Sequence, residues 1–259
     1  MIRALAILLE SSNFKKKFPR VRWSEGAEHA IFLEPDVYFK GEAFLYPNVT
    51  IFGTTDIGDG CTIEPNCYIA SSSIGKQCTL AGHIEKSIIG QHSRIHSSCR
   101  FVSSLCGEYC KLKGEIENSS LGDRVFTRSG CVMYQSTCGH DSEIGAEVRR
   151  SKLGNQVKVV HQNSYLGDTV FGDGTNFAAG SITLNYDGTP TKKKTKIGSG
   201  CFIGAGNLLV APLVIGNNVA TAAGITIREN IPDNTFVGPD GKHRPNKLLK
   251  VGKHWTREK

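Results

Sequence analysis

The chain has 259 residues, 39% of them hydrophobic, and a formal net charge of +7, which is enough for one large domain or two small ones with a substantial core. No run approaches the about 18 consecutive apolar residues that a membrane helix needs; "ALAILL" near the start ends at Glu10. No signal or anchor segment is therefore expected, and the protein reads as cytoplasmic. The positive charge is not spread over a face. Residues 242–259 hold seven Lys or Arg (Lys242, Arg244, Lys247, Lys250, Lys253, Arg257, Lys259) against Glu258, which leaves about +1 for everything before them. A nucleic-acid binder is not expected from such a distribution; a basic tail, either solvated or touching phosphates, is.

In chain order, residues 1–33, with "NFKKKFPRVRW", show no repeat and are expected to form a cap or helix. From Glu34 to Phe236 an aliphatic residue recurs at six-residue steps: "IGDGCT" from Ile57, "IEPNCY" from Ile63, "IGKQCT" from Ile74, "IHSSCR" from Ile95, "LGDRVF" from Leu121, "FGDGTN" from Phe171, "IGSGCF" from Ile197 and "IGNNVA" from Ile215. A period of six is neither the 3.6 of an amphipathic helix nor the 2 of a half-buried strand. It predicts an all-β, parallel β-helix of hexapeptide repeats, three pieces to a coil, about ten coils in all. The aliphatic residue i points inward, and i+4 must be small because the interior is narrow. Cys61, Cys67, Cys78, Cys99, Cys110, Cys131 and Cys201 fall at i+4 and Cys106 at i, so these are expected to be buried thiols, not a disulfide framework; Cys138 lies outside the pattern. Residues 237–259 are expected to be an irregular basic tail.

Metal chemistry is not expected. His83, His92 and His96 are the only histidine cluster, and the phase puts His92 at i+3 and His96 at i+1, on different corners, whereas a zinc hydratase on such a scaffold needs three converging on one ion.

The rhythm breaks in two places long enough to leave the coil: "MYQSTCGHDSE" after Val132 and "NYDGTPTKKKTK" after Leu184. Loops held by a rigid scaffold carry function. The second break sits in "YLGDTVFGDGTNFAAGSITLNYDG", followed by lysines and "TKIGSGCFIGAGNLLVAP". This stretch resembles the acetyltransferase half of the bifunctional glucosamine-1-phosphate acetyltransferase / N-acetylglucosamine-1-phosphate uridyltransferase family (GlmU-type), strongly from Arg128 to Thr226 and at the level of the repeat from Glu34 to Asp123. The uridyltransferase half is a whole further domain, for which the residues ahead of Glu34 leave no room, so uridyl transfer is not expected.

The resemblance implies a left-handed β-helix, a homotrimer with sites in the grooves between prisms, and acetyl-CoA as co-substrate with no metal. Acetyl transfer to a sugar amine needs a base, a donor to the thioester oxyanion and cations for the sugar phosphate. The resemblance assigns the base to His161, with Asn185 and Tyr186 orienting it or the substrate, and the oxyanion donor to a backbone amide near Ala179. It gives the phosphate to Arg128, Arg149 and Tyr165 with Lys192 or Lys193 from the loop, the sugar to Asn176, and the pantetheine groove to the backbones of Ala205 and Ala223. Lys242 or Arg244 would meet the phosphates of CoA.

The chain departs from the family pattern at three points. His161 stands four residues before Tyr165 where the family has three, so that Gln162 takes the aligned position; Ala205 replaces a serine; and the tail "FVGPDGKHRPNKLLK" lacks the family's arginine. The expected function is acetyl-CoA-dependent N-acetylation of an amino-sugar phosphate, glucosamine-1-phosphate first. Another amino sugar, a nucleotide-linked amino sugar, or a non-catalytic binding or oligomerisation module are the alternatives.

Overall fold

The computed structural model describes residues 16–246 and the backbone of 248–251 and 254–257. The chain divides into two compact units, Met1–Ser129 and Gly130–Lys259. Each is a parallel β-helix, consistent with the left-handed coil that the resemblance implies.

In the first unit the strands stack on three faces. The first face carries Val21–Trp23, Ala43–Leu45, Cys61–Ile63, Thr79–Leu80 and the leading halves of Arg94–Val102 and Lys111–Glu117. The second carries Ile31–Leu33, Val49–Phe52, Tyr68–Ala70, His83–Glu85 and the trailing halves of the same two long strands. The third runs from Val37–Phe39 through Thr55–Ile57, Ser73–Ile74, Ile88–Ile89 and Leu105–Cys106 to Ser120–Leu121. Ile51, Ile57, Ile63, Ile69, Leu80, Ile84, Ile95 and Phe101 fill the interior, fully buried, and each contributes about 1.5–3 kcal/mol by leaving water.

The ladder begins earlier than Glu34. Of the segment expected to be a cap or helix, Val21–Trp23 and Ile31–Leu33 are already coil strands, joined by a 3-10 turn at Ala27–Ala30; residues 1–15 lie outside the described residues. Val21, Ala27 and Leu33 are buried at six-residue steps, but an alanine and a 3-10 turn stand where the pattern looks for a large aliphatic residue, and pairing with Ala43–Leu45 and Val49–Phe52 holds the two strands.

The coil is not a constant eighteen residues. Val37 stands opposite Thr55, Asp56 opposite Ser73 and Ser73 opposite Ile88, so successive coils take 18, 17 and 15 residues. The short pieces turn on a buried serine preceded by a residue in the left-handed region: Ser71, Lys86, Ser103 and Asn118 have φ between 47° and 49°. Ser72 Oγ donates to the Ala70 carbonyl at 2.7 Å and accepts the Ser87 amide at 3.1 Å, and Ser87 Oγ accepts the Ser104 amide in turn. The hydroxyl closes the corner that a longer backbone piece would otherwise make, and it satisfies a buried amide of the next coil.

The second unit repeats the plan. Its first face carries Glu143–Ile144, Lys158–Val159, Asn176–Phe177, Phe202–Ile203 and Ala220–Thr221. Its second carries Val132–Tyr134, Glu147–Arg149, Tyr165–Gly167, Ile182–Leu184, Leu208–Val210 and Thr226–Ile227. The third carries Thr137–Cys138, Lys152–Leu153, Thr169–Phe171, Thr195–Ile197 and Leu213–Ile215.

Two expectations are corrected here. The stretch "MYQSTCGHDSE" is no excursion: it supplies three successive strands, turning at Gln135 (φ 48°) and at Ser136, whose buried hydroxyl donates to the Tyr134 carbonyl at 2.8 Å. Cys138 faces inward opposite Leu153, in the place of the usual aliphatic residue. A five-residue piece with a cysteine at its inward position hides the six-residue rhythm. The tail is likewise not irregular. Thr235–Val237 closes the ladder on Ala220–Thr221 and pairs antiparallel with His243–Pro245, and Leu248–Val251 pairs antiparallel with His254–Arg257. Pairing the last strand satisfies an edge that a bare coil end leaves open.

All nine cysteines are free and buried. Burial pushes the Cys99 thiol up to about 12 and raises those of Cys67 and Cys201, so these three are scarcely thiolate at neutral pH, and burial shields the rest from reagents. A disulfide-exchange reagent is therefore expected to leave the native protein almost unlabelled and to count all nine cysteines after denaturation. Rapid native labelling would contradict the buried assignment.

Candidate functional site

The loop after Leu184 leaves the second unit between Ile182–Leu184 and Thr195–Ile197, as the sequence predicts. Both of its ends hang on Asp168. The buried Asn185 side chain donates through Nδ2 to Asp168 Oδ2, and the Thr195 amide donates to the Asp168 carbonyl at 3.3 Å. Inside the loop, the Lys193 amide donates to the Asn185 carbonyl at 2.8 Å and Thr189 Oγ1 donates to Asp187 Oδ1 at 2.6 Å. Lys192 Nζ lies 3.4 Å from the centroid of the exposed Tyr186 ring, a cation–π contact. Lys193 Nζ faces Asp187 at 3.8 Å.

Asp168 is also gripped from the preceding coil by Arg150, whose Nε and Nη2 each reach a carboxylate oxygen at 2.8 Å. The Arg150 guanidinium first, and the Asn185 amide after it, hold the Asp168 carboxyl below its ordinary range. The Tyr165 hydroxyl lies against Arg150. Gly167 explains how these groups meet: a Cβ there would strike Asn185 Nδ2 and lie 2.6 Å from Tyr165 Oη, so only glycine leaves room for them.

His161 sits on an exposed corner, not on a strand. Lys158 stands opposite Asn176 and Tyr165 opposite Ile182, so this corner contains one residue more than the one that follows it, and the strands on both sides keep their register. The insertion therefore turns no side chain to the opposite face, which is the hazard a slip within a strand carries. The corner is closed by the Ser164 amide donating to the His161 carbonyl at 3.2 Å, and Asn163 Oδ1 accepts the Gly180 amide at 3.2 Å. Asn163 thus ties the histidine corner to the Ala179 corner. The His161 ring has no hydrogen-bond partner among the described residues.

Ala179, Ala205 and Ala223 stack on three successive corners: the Ala179 carbonyl accepts the Gly206 amide and the Ala205 carbonyl accepts the Gly224 amide, both at 2.8 Å. The Ala179 amide makes no hydrogen bond among the described residues.

The predicted residues thus fall into sets. Asn185 and Tyr165 meet beside Asp168 and Arg150, Lys192 packs on Tyr186 and Lys193 faces Asp187 within the loop, and His161 is joined to Ala179 through Asn163. Asn176 stands on the first face of the second unit between Lys158 and Phe202. Arg149 is engaged by Glu147 and lies 6.0 Å over the Tyr134 ring. Lys242 and Arg244 belong to the hairpin of Thr235–Val237 and His243–Pro245, where Arg244 Nη1 and Nη2 donate to Asp240 at 2.9 and 2.6 Å. Arg128 is exposed just after the last strand of the first unit.

Sequence reading missed Arg150, Asp168 and Asn163. Asp168 was visible as the acid of "YLGD" and Arg150 as the second arginine of "VRRS", but nothing in the linear pattern joins two corners of neighbouring coils. The three histidines His83, His92 and His96 have separate partners: His83 stacks on Tyr68, His92 on Tyr109, and His96 Nδ1 lies 3.2 Å from Ser98 Oγ.

No family model matches the chain. Bifunctional protein GlmU of Bifidobacterium longum (strain DJO10A) is 55% identical over 80 residues, 31% of this chain and 17% of that protein. Bifunctional protein GlmU of Streptococcus agalactiae serotype V is 33% identical over 209 residues, 80% of this chain and 39% of the relative. The chain thus spans less than half the length of these curated relatives. Among solved structures, a point mutant of AntD, an N-acyltransferase from Bacillus cereus in complex with dTDP and coenzyme A, superposes with a TM-score of 0.38 at 17% identity, over 65% of this chain and 84% of that one. The UDP-N-acetylglucosamine O-acyltransferase LpxA of Moraxella catarrhalis gives 0.37 at 16% identity, over 84% and 75%. By its repeat and its sequence the chain is a hexapeptide-repeat protein related to the acetyltransferase half of the GlmU-type proteins.

Proposed function

We propose that the protein moves an acetyl group from acetyl-CoA to the amine of an amino-sugar phosphate, with glucosamine-1-phosphate the first acceptor to test. The observation that carries this reading is the loop fastened on Asp168, which brings Asn185 beside Arg150 and carries Tyr186 and Lys192 in contact with each other. The substrate ammonium gives one proton to solvent, the freed amine attacks the thioester carbon while His161 takes the nitrogen's second proton, and the C–S bond breaks as the oxyanion collapses. The thiolate leaves with the proton His161 returns. The Ala179 amide donates to the oxyanion. Arg128, Arg149, Tyr165 and the loop lysines bind the phosphate, and arginine at position 149 offers it a planar two-point grip. Asn176 holds the sugar. The backbones of Ala205 and Ala223 line the pantetheine path, and Lys242 or Arg244 meets the CoA phosphates. A homotrimer belongs to the same proposal and rests on the resemblance; a cytoplasmic location is proposed with it.

Protein mixed with acetyl-CoA and glucosamine-1-phosphate is expected to release free CoA, followed as new thiol against a no-protein control. Bound acetyl-CoA with no release above background would refute the acceptor. The exposed His161 ring, which has no hydrogen-bond partner among the described residues, favours a second reading, a binding module without turnover; inactivity of both the wild type and His161→Ala on every amino sugar tried would select it.

A further inference from the structure

The first unit carries a cluster that the acetyl-transfer reading does not use. On its first face the outward positions of the Arg94–Val102 strand are Arg94 and His96, and those of the neighbouring Lys111–Glu117 strand are Lys111 and Lys113. Lys111 stands directly opposite Arg94, one strand spacing of about 4.8 Å away, and Lys113 is two residues further along, about 7 Å. Like charges directly opposite one another on a sheet destabilise it. Glu64 offsets only Arg94, at 3.1 Å from Nη2; Lys111 and Lys113 have no ion pair among the described residues.

A second, independent feature adjoins the cations. From Ile95 to Cys99 the chain takes four steps where its neighbour takes two, from Leu112 to Gly114, so His96, Ser97 and Ser98 bulge out of the ladder. The coils on either side turn the same corner with a single left-handed glycine, Gly82 (φ 75°) and Gly114 (φ 85°). The corner therefore does not require the longer segment. Bulges recur where a side chain is re-aimed at a site, and this one brings two exposed hydroxyls and an imidazole beside Lys113. His96 Nδ1 is engaged with Ser98, and Nε2 has no hydrogen-bond partner among the described residues.

We propose that Arg94, Lys111, Lys113 and the bulge His96–Ser98 form an oxyanion site for a diphosphate group, independent of the acetyl-transfer reading. One phosphoryl group meets Lys113 and the hydroxyls and imidazole of the bulge; the other meets Lys111 and Arg94. Two linked phosphoryl groups carry more negative charge and more acceptor oxygens than one, so they engage all three cations and the bulge together, and their charge relieves the repulsion between Arg94 and Lys111.

Calorimetric titration of the full chain with orthophosphate, inorganic pyrophosphate and uridine diphosphate tests this. Pyrophosphate is expected to bind at least about ten-fold more tightly than orthophosphate, and less tightly as salt is raised. Lys111→Gln/Lys113→Gln is expected to lose about ten-fold or more, with an unchanged or higher melting temperature because a repulsion is removed. Ser97→Ala/Ser98→Ala, which leaves every cation in place, is expected to lose less. Uridine diphosphate binding as well as or better than pyrophosphate supports a nucleotide source, and pyrophosphate binding alone supports the free anion. Equal affinity for orthophosphate and pyrophosphate, equal affinity of the double lysine variant and the wild type, or no binding at millimolar pyrophosphate overturns the proposal.

Discussion

His161→Ala is expected to lower the acetyl-transfer rate by about 10²–10⁴-fold, the usual contribution of a positioned general base, while leaving the affinity for acetyl-CoA nearly unchanged. The histidine lies exposed on a corner, its ring without a hydrogen-bond partner among the described residues, so its removal should not alter the melting temperature. That separates a catalytic loss from a folding defect. Turnover equal to wild type would remove His161 from the mechanism. Deleting Gln162 restores the family spacing between histidine and tyrosine, yet it is expected to reduce activity. The corner would lose the residue that lets Asn163 reach the Gly180 amide, and Ala179 would no longer be tied to the histidine corner.

Asp168→Ala is expected to release the loop. The buried Asn185 amide loses its carboxylate acceptor, a penalty of about 1–3 kcal/mol for a buried donor left unpaired, and Arg150 loses a two-point partner. The consequence should be faster trypsin cleavage at Lys192–Lys194 and a fall in kcat/KM of about ten- to hundred-fold, matching that energy. Asp168→Asn keeps the shape and one acceptor and should fall between. Unchanged loop cleavage with unchanged kcat/KM would contradict a fastening role. The sign of the pH dependence follows from the depressed carboxyl of Asp168. The fastening is complete above the ordinary aspartate range, near about 3.9, and is lost as pH falls through the lowered folded value, so activity between about pH 5 and 9 should show no step from this group.

Much of this was legible in the linear pattern. The aliphatic residue at every sixth position can be satisfied only by a narrow parallel coil, so Ile57, Ile63, Ile95 and their counterparts had to face inward, and Cys61, Cys78 and Cys201 had to be small and buried. The loop at Asn185–Lys194 announced itself as polar residues where the coil needs an apolar one. Cys138 and the Val132–Ile144 stretch were misread because a buried serine closes a corner in fewer residues than the repeat prescribes, and a fixed period cannot register a side chain standing in for backbone.

The amino-acid sequence by itself determined the parallel coil, its inward residues and the place where a loop must leave it, because these depend on local spacing and on the width of the interior. Only the tertiary structure decided that Asp168 fastens both loop ends, that Arg150 and not Arg149 grips it, that the added residue before Tyr165 is absorbed in a corner, and that Arg94, Lys111 and Lys113 stand together. Those contacts join residues seventeen or more positions apart on adjacent coils, and which residue meets which depends on the length of every corner between them.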